Sequence, residues 1–231
     1  MTDTKEHISN QNMRSPRTAA IAGILFAILY GTSFAIILYS IPVVSADSGN
    51  WLENRGDAVA LAVSLTPFAG IAFLWFMGVV RDRLQHREDQ LFSTLFLGSG
   101  ILYLALTFMS AALAGGLLSI GALDLDLLIG NGVYTVARAI IYQITTVYAI
   151  RMAGMFMIVL GTIWLRTGVM PRWMALLTYL VALALLISIG FTQWIIMVFP
   201  AWVLLISIYI LILNYRYRDE IEESDGLTVA D

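Results

Sequence analysis

The sequence contains no cysteine and few of the titratable residues that most active sites use. Without cysteine there are no disulfides, thiolate metal ligands, iron–sulfur clusters or thiol nucleophiles. The two histidines, His7 and His86, lie in polar segments, which excludes a haem held by histidine ligands inside an apolar helix. The only lysine is Lys5, near the N-terminus, so no buried lysine is available for Schiff-base chemistry.

Charge is also scarce. Of the 231 residues 13% are charged, against about 25% in a typical globular domain, and 59% are apolar. No Asp or Glu occurs within the long apolar runs, which removes the carboxylate relay typical of proton- or cation-coupled transporters. No basic patch of the kind that binds nucleic acid is visible, so we expect no nucleic-acid partner.

Long apolar runs are what the sequence does contain. They predict an all-α, polytopic membrane helix bundle with six transmembrane helices, because about 18 consecutive apolar residues cross a bilayer. Residues 1–17 and 215–231 are polar and are expected to be flexible tails flanking a membrane domain at 18–214. The predicted helices cover 18–44, 58–80, 91–118, 133–166, 173–189 and 192–213.

The distribution of basic residues predicts the orientation. With six spans, ten of the 13 Lys and Arg residues fall on the side of the N-terminus, two (Arg55 and Arg138) fall on the other side, and Arg151 lies within a span. Loops that face the cytoplasm carry the excess of Lys and Arg. We therefore expect both termini in the cytoplasm and the protein in the plasma membrane.

The predicted helix at 133–166 is unusual in length and polarity. Its 34 residues would extend about 51 Å, whereas the hydrocarbon core is about 30 Å thick. The helix should therefore protrude on the outer side, or a break near 131–145 should turn it along the surface. Arg138 and Arg151 are about 140° apart on a regular helix, so they do not share a face.

This outer half supplies the candidate site. Arg138 and Arg151 are placed there with Tyr142, Gln143 and Tyr148, and an intramembrane arginine is costly unless it has a partner or a function. The segment 119–132 is expected to be interfacial or partly re-entrant and carries Asp124 and Asp126. In one interpretation the arginines bind an anionic headgroup or substrate in an outward-facing vestibule. In the other they extend to the interface or pair with these two acids for structural reasons.

Small residues in the third predicted helix form three pairs four positions apart. Such pairs mark a helix face against which another helix packs closely, and here we expect the contact to be within the chain. The pairs are Ser110/Ala114, Ala111/Gly115 and Ala112/Gly116.

No nucleophile–base set, metal-binding motif or phosphate-binding loop occurs in a usable context. We therefore expect no enzymatic activity, no cofactor and no metal. The favoured function is binding of a lipid or partner protein within the bilayer. The alternative is a small transporter or channel that uses the vestibule around Arg138 and Arg151.

Two stretches carry a family resemblance. RTAAIAGILFAILYGTSF in the first predicted helix, and residues 154–185 with their Gly-x-x-x-Leu-Arg, short turn and Pro-Arg pattern, resemble an uncharacterised family of bacterial six-helix membrane proteins. The resemblance covers about a quarter of the chain and implies the six-helix topology. Because that family has no known function, the resemblance implies no activity.

Overall fold

The computed structural model describes residues 2–41, 51–84, 90–168, 170–188 and 193–228, and within them the chain is all-α, with no β-strand. This confirms the predicted fold class. A π-helical segment, Ile144–Ala149, joins α5 to α6, and a 3₁₀ turn, Gln193–Met197, precedes α8. The α-helices are α1 Thr2–Ser40, α2 Trp51–Leu84, α3 Gln90–Leu123, α4 Leu125–Gly130, α5 Val133–Gln143, α6 Ile150–Thr167, α7 Arg172–Ile187 and α8 Val198–Thr228.

Several helices extend further than the apolar runs alone predict. α1 and α8 include most of the residues assigned to the two tails, and α3 continues to Leu123. The segment predicted to be interfacial, 119–132, therefore consists of the last turn of α3, the short α4 and the turn before α5. The predicted helix boundaries at 44, 189 and 192 lie outside the described residues, as do residues 85–89 between the second and third predicted helices.

Five helical segments are long and apolar enough to cross a membrane, namely Arg17–Ser40, Asn54–Asp82, Leu91–Leu123, Val133–Thr167 and Trp194–Tyr215. α7, the fifth predicted span, has 16 residues, fewer than the about 20 that a bilayer usually needs. Its Leu176, Leu180 and Leu183 are more than half exposed, as expected for side chains that face lipid. The chain thus has the helices of a membrane protein, and the count of six stays a prediction.

Neighbouring helices pack antiparallel. Phe26 of α1 packs on Phe73 of α2, and Arg17 at the start of the apolar part of α1 lies 5.2 Å from the Tyr215 ring of α8. Between α2 and α3 the contact is close at glycines, because Phe108 fills the space beside Gly70, and Met77 with Phe156 fills the space beside Gly100. The ends near Arg17, Phe92, Arg166 and Tyr215 thus lie together at one end of the bundle, which we call the basic end.

The helix predicted at 133–166 is continuous from Val133 to Thr167 but is not regular. Gly132 (φ 69°) and Gly168 (φ 68°) bound it in the left-handed conformation that glycine adopts without strain. A π-helical turn takes up more residues than an α-helical turn, so Ile144–Ala149 changes the register between α5 and α6. Within Val133–Thr167, all of which the structure describes, the helix is not broken near 131–145; it begins after the turn at Gly132 and contains the π-helical segment.

The core at mid-height is a layer of aromatic rings from five helices. Phe73 and Phe156 lie at its centre with ring centroids 5.4 Å apart, and Phe199 packs edge-on against both. Phe26 and Tyr103 complete what we call the aromatic layer. Its members are at most 3% exposed, so the bundle is closed at this level.

Candidate functional site

A cavity of about 180 Å³ lies above the aromatic layer, on the side away from the basic end. Its walls come from α1 and the residue after it (30–41), α2 (51–66), α3 (107–117), and α5 with the π-helical segment (134–146), together with Ile196 from the 3₁₀ turn. The ten-residue rise along α3 corresponds to a depth of about 15 Å. The cavity is therefore elongated along the helix axes.

Arg138 is the one charged residue among the described residues that line the cavity. Its Nη1 donates a hydrogen bond of 3.4 Å to the hydroxyl of Tyr134, one turn earlier on α5. The same hydroxyl accepts a bond of 2.8 Å from Nε1 of Trp51, at the start of α2. Trp51 and Tyr134 are buried and Arg138 is half-buried, so the charge is held at the upper rim by a buried aromatic pair.

A second apolar cluster covers the upper end of the cavity. Trp51, Val59, Leu117 and Tyr134 pack there with Leu128 of α4, which is 1% exposed. Leu52 and Leu128 also lie beside Gly121 of α3, where an added Cβ would be in van der Waals contact with both. The short α4 is thus a cap fixed by Leu128.

Most of the walls are apolar, and the hydroxyls among them are largely used within the bundle. Thr107 Oγ1 donates to the Tyr103 carbonyl (2.9 Å), and Thr146 Oγ1 donates to the Tyr142 carbonyl (2.6 Å). Ser33 of α1 instead reaches across to the Ala62 carbonyl of α2 (2.6 Å). A hydroxyl whose proton is bound to a backbone carbonyl offers little donor capacity, so the lower walls behave as a mainly apolar surface.

The floor of the cavity is formed around Tyr30 and Thr107. The Tyr30 ring lies 6.4 Å from that of Tyr103, which belongs to the aromatic layer. The buried Tyr103 hydroxyl makes no hydrogen bond of standard geometry to another described residue, although the hydroxyls of Tyr30 and Thr107 are its polar neighbours. Below this level the aromatic layer separates the cavity from the basic end.

The residues predicted for the site are only partly brought together. Arg138 and Tyr142 line the cavity. Gln143, Tyr148 and Asp124 are exposed and are not among the lining residues, and the side chain of Asp126 lies outside the described part of the structure.

Arg151 is also separate from the cavity. Its Nη1 donates a hydrogen bond of 2.8 Å to the carbonyl of Val147, within the π-helical segment. Backbone carbonyls in such an irregular turn are imperfectly served by the helix itself, and a guanidinium is a strong donor for them. The geometry therefore supports a structural role for Arg151 and leaves Arg138 as the cation of the cavity.

Several wall residues were not among those predicted. Tyr30 and Ser33 are three positions apart on α1, as are Thr107 and Ser110 on α3, so each pair lies on one helical face. The sequence feature that could have identified these wall residues is the pair of polar residues three positions apart inside an apolar span. The small residues Ser110, Ala111 and Ala114 line the cavity, whereas Ala112 is exposed and the space beside Gly116 is open. Ser110, Ala111 and Ala114 thus make room for the cavity, whereas an added Cβ at Gly115 would contact Val63 of α2.

No group of three or more His, Asp or Glu residues that could hold a metal occurs in the described parts of the chain. Comparison with protein-family models, curated proteins and solved structures found no match for this chain. The resemblance to a six-helix family stays a prediction, and the function has to be argued from the cavity.

Proposed function

We propose that the protein is a six-span plasma-membrane protein with both termini in the cytoplasm, and that it binds a lipid molecule in the cavity without chemically changing it. The observation that carries this proposal is the position of the cavity. Counted from Phe92 at the basic end at about 1.5 Å per residue, the cavity wall of α3 extends from about 22 Å at Thr107 to about 38 Å at Leu117, and so crosses the boundary of a hydrocarbon core about 30 Å thick. The lower half of the cavity then faces acyl chains and its upper half faces headgroups.

The way the helices are grouped supports entry from the bilayer. α1 packs against α2 and α8, whereas α5 and the π-helical segment pack against α3. The cavity lies between these two groups, and Tyr142 on its α5 side is 40% exposed. A lipid could thus enter sideways between α1 and α5.

The packing of α7 supports a sixth span. α7 runs antiparallel to α6, with its Ala182 carbonyl and Leu186 close to Gly154, and its Tyr179 hydroxyl 2.6 Å from Thr162 Oγ1. At 16 residues it would extend about 24 Å, and a span this short is accommodated by local thinning of the bilayer.

The contacts at the basic end support the cytoplasmic assignment. Arg17 and Arg166 lie over the Tyr215 and Phe92 rings, at 5.2 and 4.4 Å from their centroids. Lys and Arg accumulate on the cytoplasmic side of membrane proteins. The basic end therefore faces the cytoplasm in our proposal, and the cavity faces the outer leaflet.

Transport is the second candidate, because the cavity lies on the side away from the basic end and a π-helical segment is a common place for a functional change of helix geometry. The closed aromatic layer argues against transport. Passage to the basic end would require Phe73, Phe156 and Phe199 to separate, and these rings contact one another at 5.4 to 5.8 Å.

Filling the cavity tests lipid binding. Ala114 lines the cavity, and Ala112, on the same helix, is exposed and does not. We expect lipid that co-purifies with the wild type, measured by native mass spectrometry, to be lost in Ala114→Phe and retained in Ala112→Phe. Equal lipid content in all three proteins would overturn the proposal. Flux of a bound amphiphile across proteoliposome membranes, blocked by Ala114→Phe, would favour the transporter.

The topology can be tested separately, because the chain has no native cysteine. Single cysteines at Asp57 and Ser188 should react with a membrane-impermeant maleimide in intact cells. A cysteine at Arg172 should react only after permeabilisation. Protection of Ser188→Cys in intact cells, with labelling after permeabilisation, would overturn the sixth span.

A further inference from the structure

The chemistry of the cavity, taken with the proposed lipid-binding function, also indicates which lipids fit. We infer that the site takes a single hydrocarbon chain that carries an anionic headgroup, a carboxylate or a phosphate, bound at Arg138. This rests on the proposed function, but it makes separate predictions about charge and chain number.

The charge preference follows from the composition of the walls. Arg138 lies in the wall, and its guanidinium carries five N–H donors in a planar fork, so it can bind an anion while it keeps its other partners. The guanidinium is oriented by its bond to the Tyr134 hydroxyl, which Trp51 holds in turn. A cation at the edge of an apolar cavity attracts an anion more strongly than a solvated cation does, and arginine suits carboxylate and phosphate geometry.

The chain number follows from the volume. A cavity of about 180 Å³ is little larger than the roughly 150 Å³ apolar cavities that hold one benzene molecule. It can enclose part of one chain, while the rest passes out between α1 and α5. Two chains side by side would have to push α3 and α5 apart, and these helices pack against each other directly.

The depth of the cavity fits the same occupant. Arg138 lies near the upper rim, and the walls below it, down to Thr107, bind most of their hydroxyl protons to backbone carbonyls. An anionic head at the rim with an apolar chain below matches both parts of the cavity, whereas a free anion would use only the rim.

Binding to the purified full-length protein in maltoside micelles tests this inference. The ligands are oleate, oleoyl lysophosphatidate, mono-oleoylglycerol with the same chain but no charge, dioleoyl phosphatidate with two chains, and inorganic phosphate alone. We expect oleate and lysophosphatidate to bind at least about ten-fold more tightly than mono-oleoylglycerol. We expect dioleoyl phosphatidate to bind at least ten-fold more weakly than lysophosphatidate, and phosphate alone to show no binding.

Variants assign the preference to one residue. Arg138→Gln should bring the affinity ratio between the charged ligands and mono-oleoylglycerol close to one, and Arg138→Lys should keep part of the preference. Arg151→Gln is the matched control, because Arg151 bonds to Val147 and lies outside the cavity wall. Arg151→Gln should keep the full preference for the charged ligands. Binding of mono-oleoylglycerol by each variant would show that its cavity is intact.

The outcomes separate this inference from the proposed function. Equal affinity for oleate and mono-oleoylglycerol, or a preference that survives Arg138→Gln, would overturn the anionic headgroup and leave lipid binding standing. Equal affinity for dioleoyl phosphatidate and lysophosphatidate would overturn the single chain. If no ligand binds the wild type, the lipid-binding function itself is wrong.

Discussion

The indole nitrogen of Trp51 donates a hydrogen bond of 2.8 Å to the hydroxyl of Tyr134, two residues 83 positions apart in the sequence. The bond ties the start of α2 to the start of α5 and lies under the cap formed by α4. Both side chains are buried, at 7% and 4% exposure, so neither polar group can turn to solvent instead. This contact holds the upper end of the cavity together.

Tyr134→Phe should therefore destabilise the protein. The change removes the acceptor for the Trp51 indole and for Arg138, and a buried donor left without a partner costs about 1–3 kcal/mol. The measurement is the free energy of unfolding in mixed detergent–SDS micelles. Tyr148→Phe, at a position 59% exposed, is the control and should change it by less than about 0.5 kcal/mol. Equal values for the two variants would show that the bond contributes nothing.

Arg151→Leu should lower the free energy of unfolding by about 1 kcal/mol, because it removes the charged donor from the Val147 carbonyl at a half-exposed position. Arg151→Lys, which keeps a charged donor, should lose less. Lipid binding should be unchanged in both variants. A loss of lipid binding as large as that caused by Ala114→Phe would show that Arg151 belongs to the binding site.

Gly100→Leu should disrupt the packing of α3. The space beside Gly100 is occupied by Met77 of α2 and Phe156 of α6, so a larger side chain forces two buried residues to move. Overpacking of this kind costs about 1–3 kcal/mol or more. Gly98 has open space beside it, and Gly98→Leu should be neutral or stabilising by up to about 1 kcal/mol, because glycine is a poor helix former. Thermal unfolding of the two variants side by side makes the comparison, and equal midpoints would contradict it.

Thr178→Val should weaken the attachment of α7 to α8. Trp202 Nε1 donates to Thr178 Oγ1 at 3.0 Å, and both residues are buried. Valine has nearly the shape of threonine but no acceptor, so the expected loss is about 1–3 kcal/mol of unfolding free energy. Thr135→Val, at an exposed position on α5, is the control. An unchanged stability in Thr178→Val would mean that the indole finds another acceptor.

The positions of the helices could be predicted from the sequence, but the cavity between them could not. Apolar runs predict helices, because the bilayer requires each span to satisfy its own backbone hydrogen bonds. This is why the helix from Val133 to Thr167 was predicted almost to its ends. The lengths of α1 and α3 were underestimated because these helices continue beyond the apolar residues that mark the membrane.

Within the site, Arg138 and Tyr142 were recognisable because polar residues in an apolar helix are conspicuous. Trp51 and Tyr134 were not identified as a pair, because a single sequence does not show which helices become neighbours. The pair Ser110 and Ala114 was predicted to mark a close contact between two helices. Small side chains bring helices together only where a neighbouring helix fills the space, and beside Ser110 and Ala114 that space is the cavity.

The π-helical segment Ile144–Ala149 has a consequence for how the chain tolerates length changes. Each residue of an α-helix turns the chain by about 100°, so in a regular stretch the number of residues determines which way α5 faces relative to α6. A π-helical turn fits one more residue into about the same rotation, so deleting a single residue there would let the helix become regular and would leave Arg138 and Tyr134 facing Trp51. A deletion between Arg138 and this segment would instead turn them away from Trp51 by about 100°, and a compensating insertion would be needed to bring them back. The position of the Arg138 charge at the upper rim of the cavity thus depends on the number of residues between Arg138 and α6 as well as on their identity.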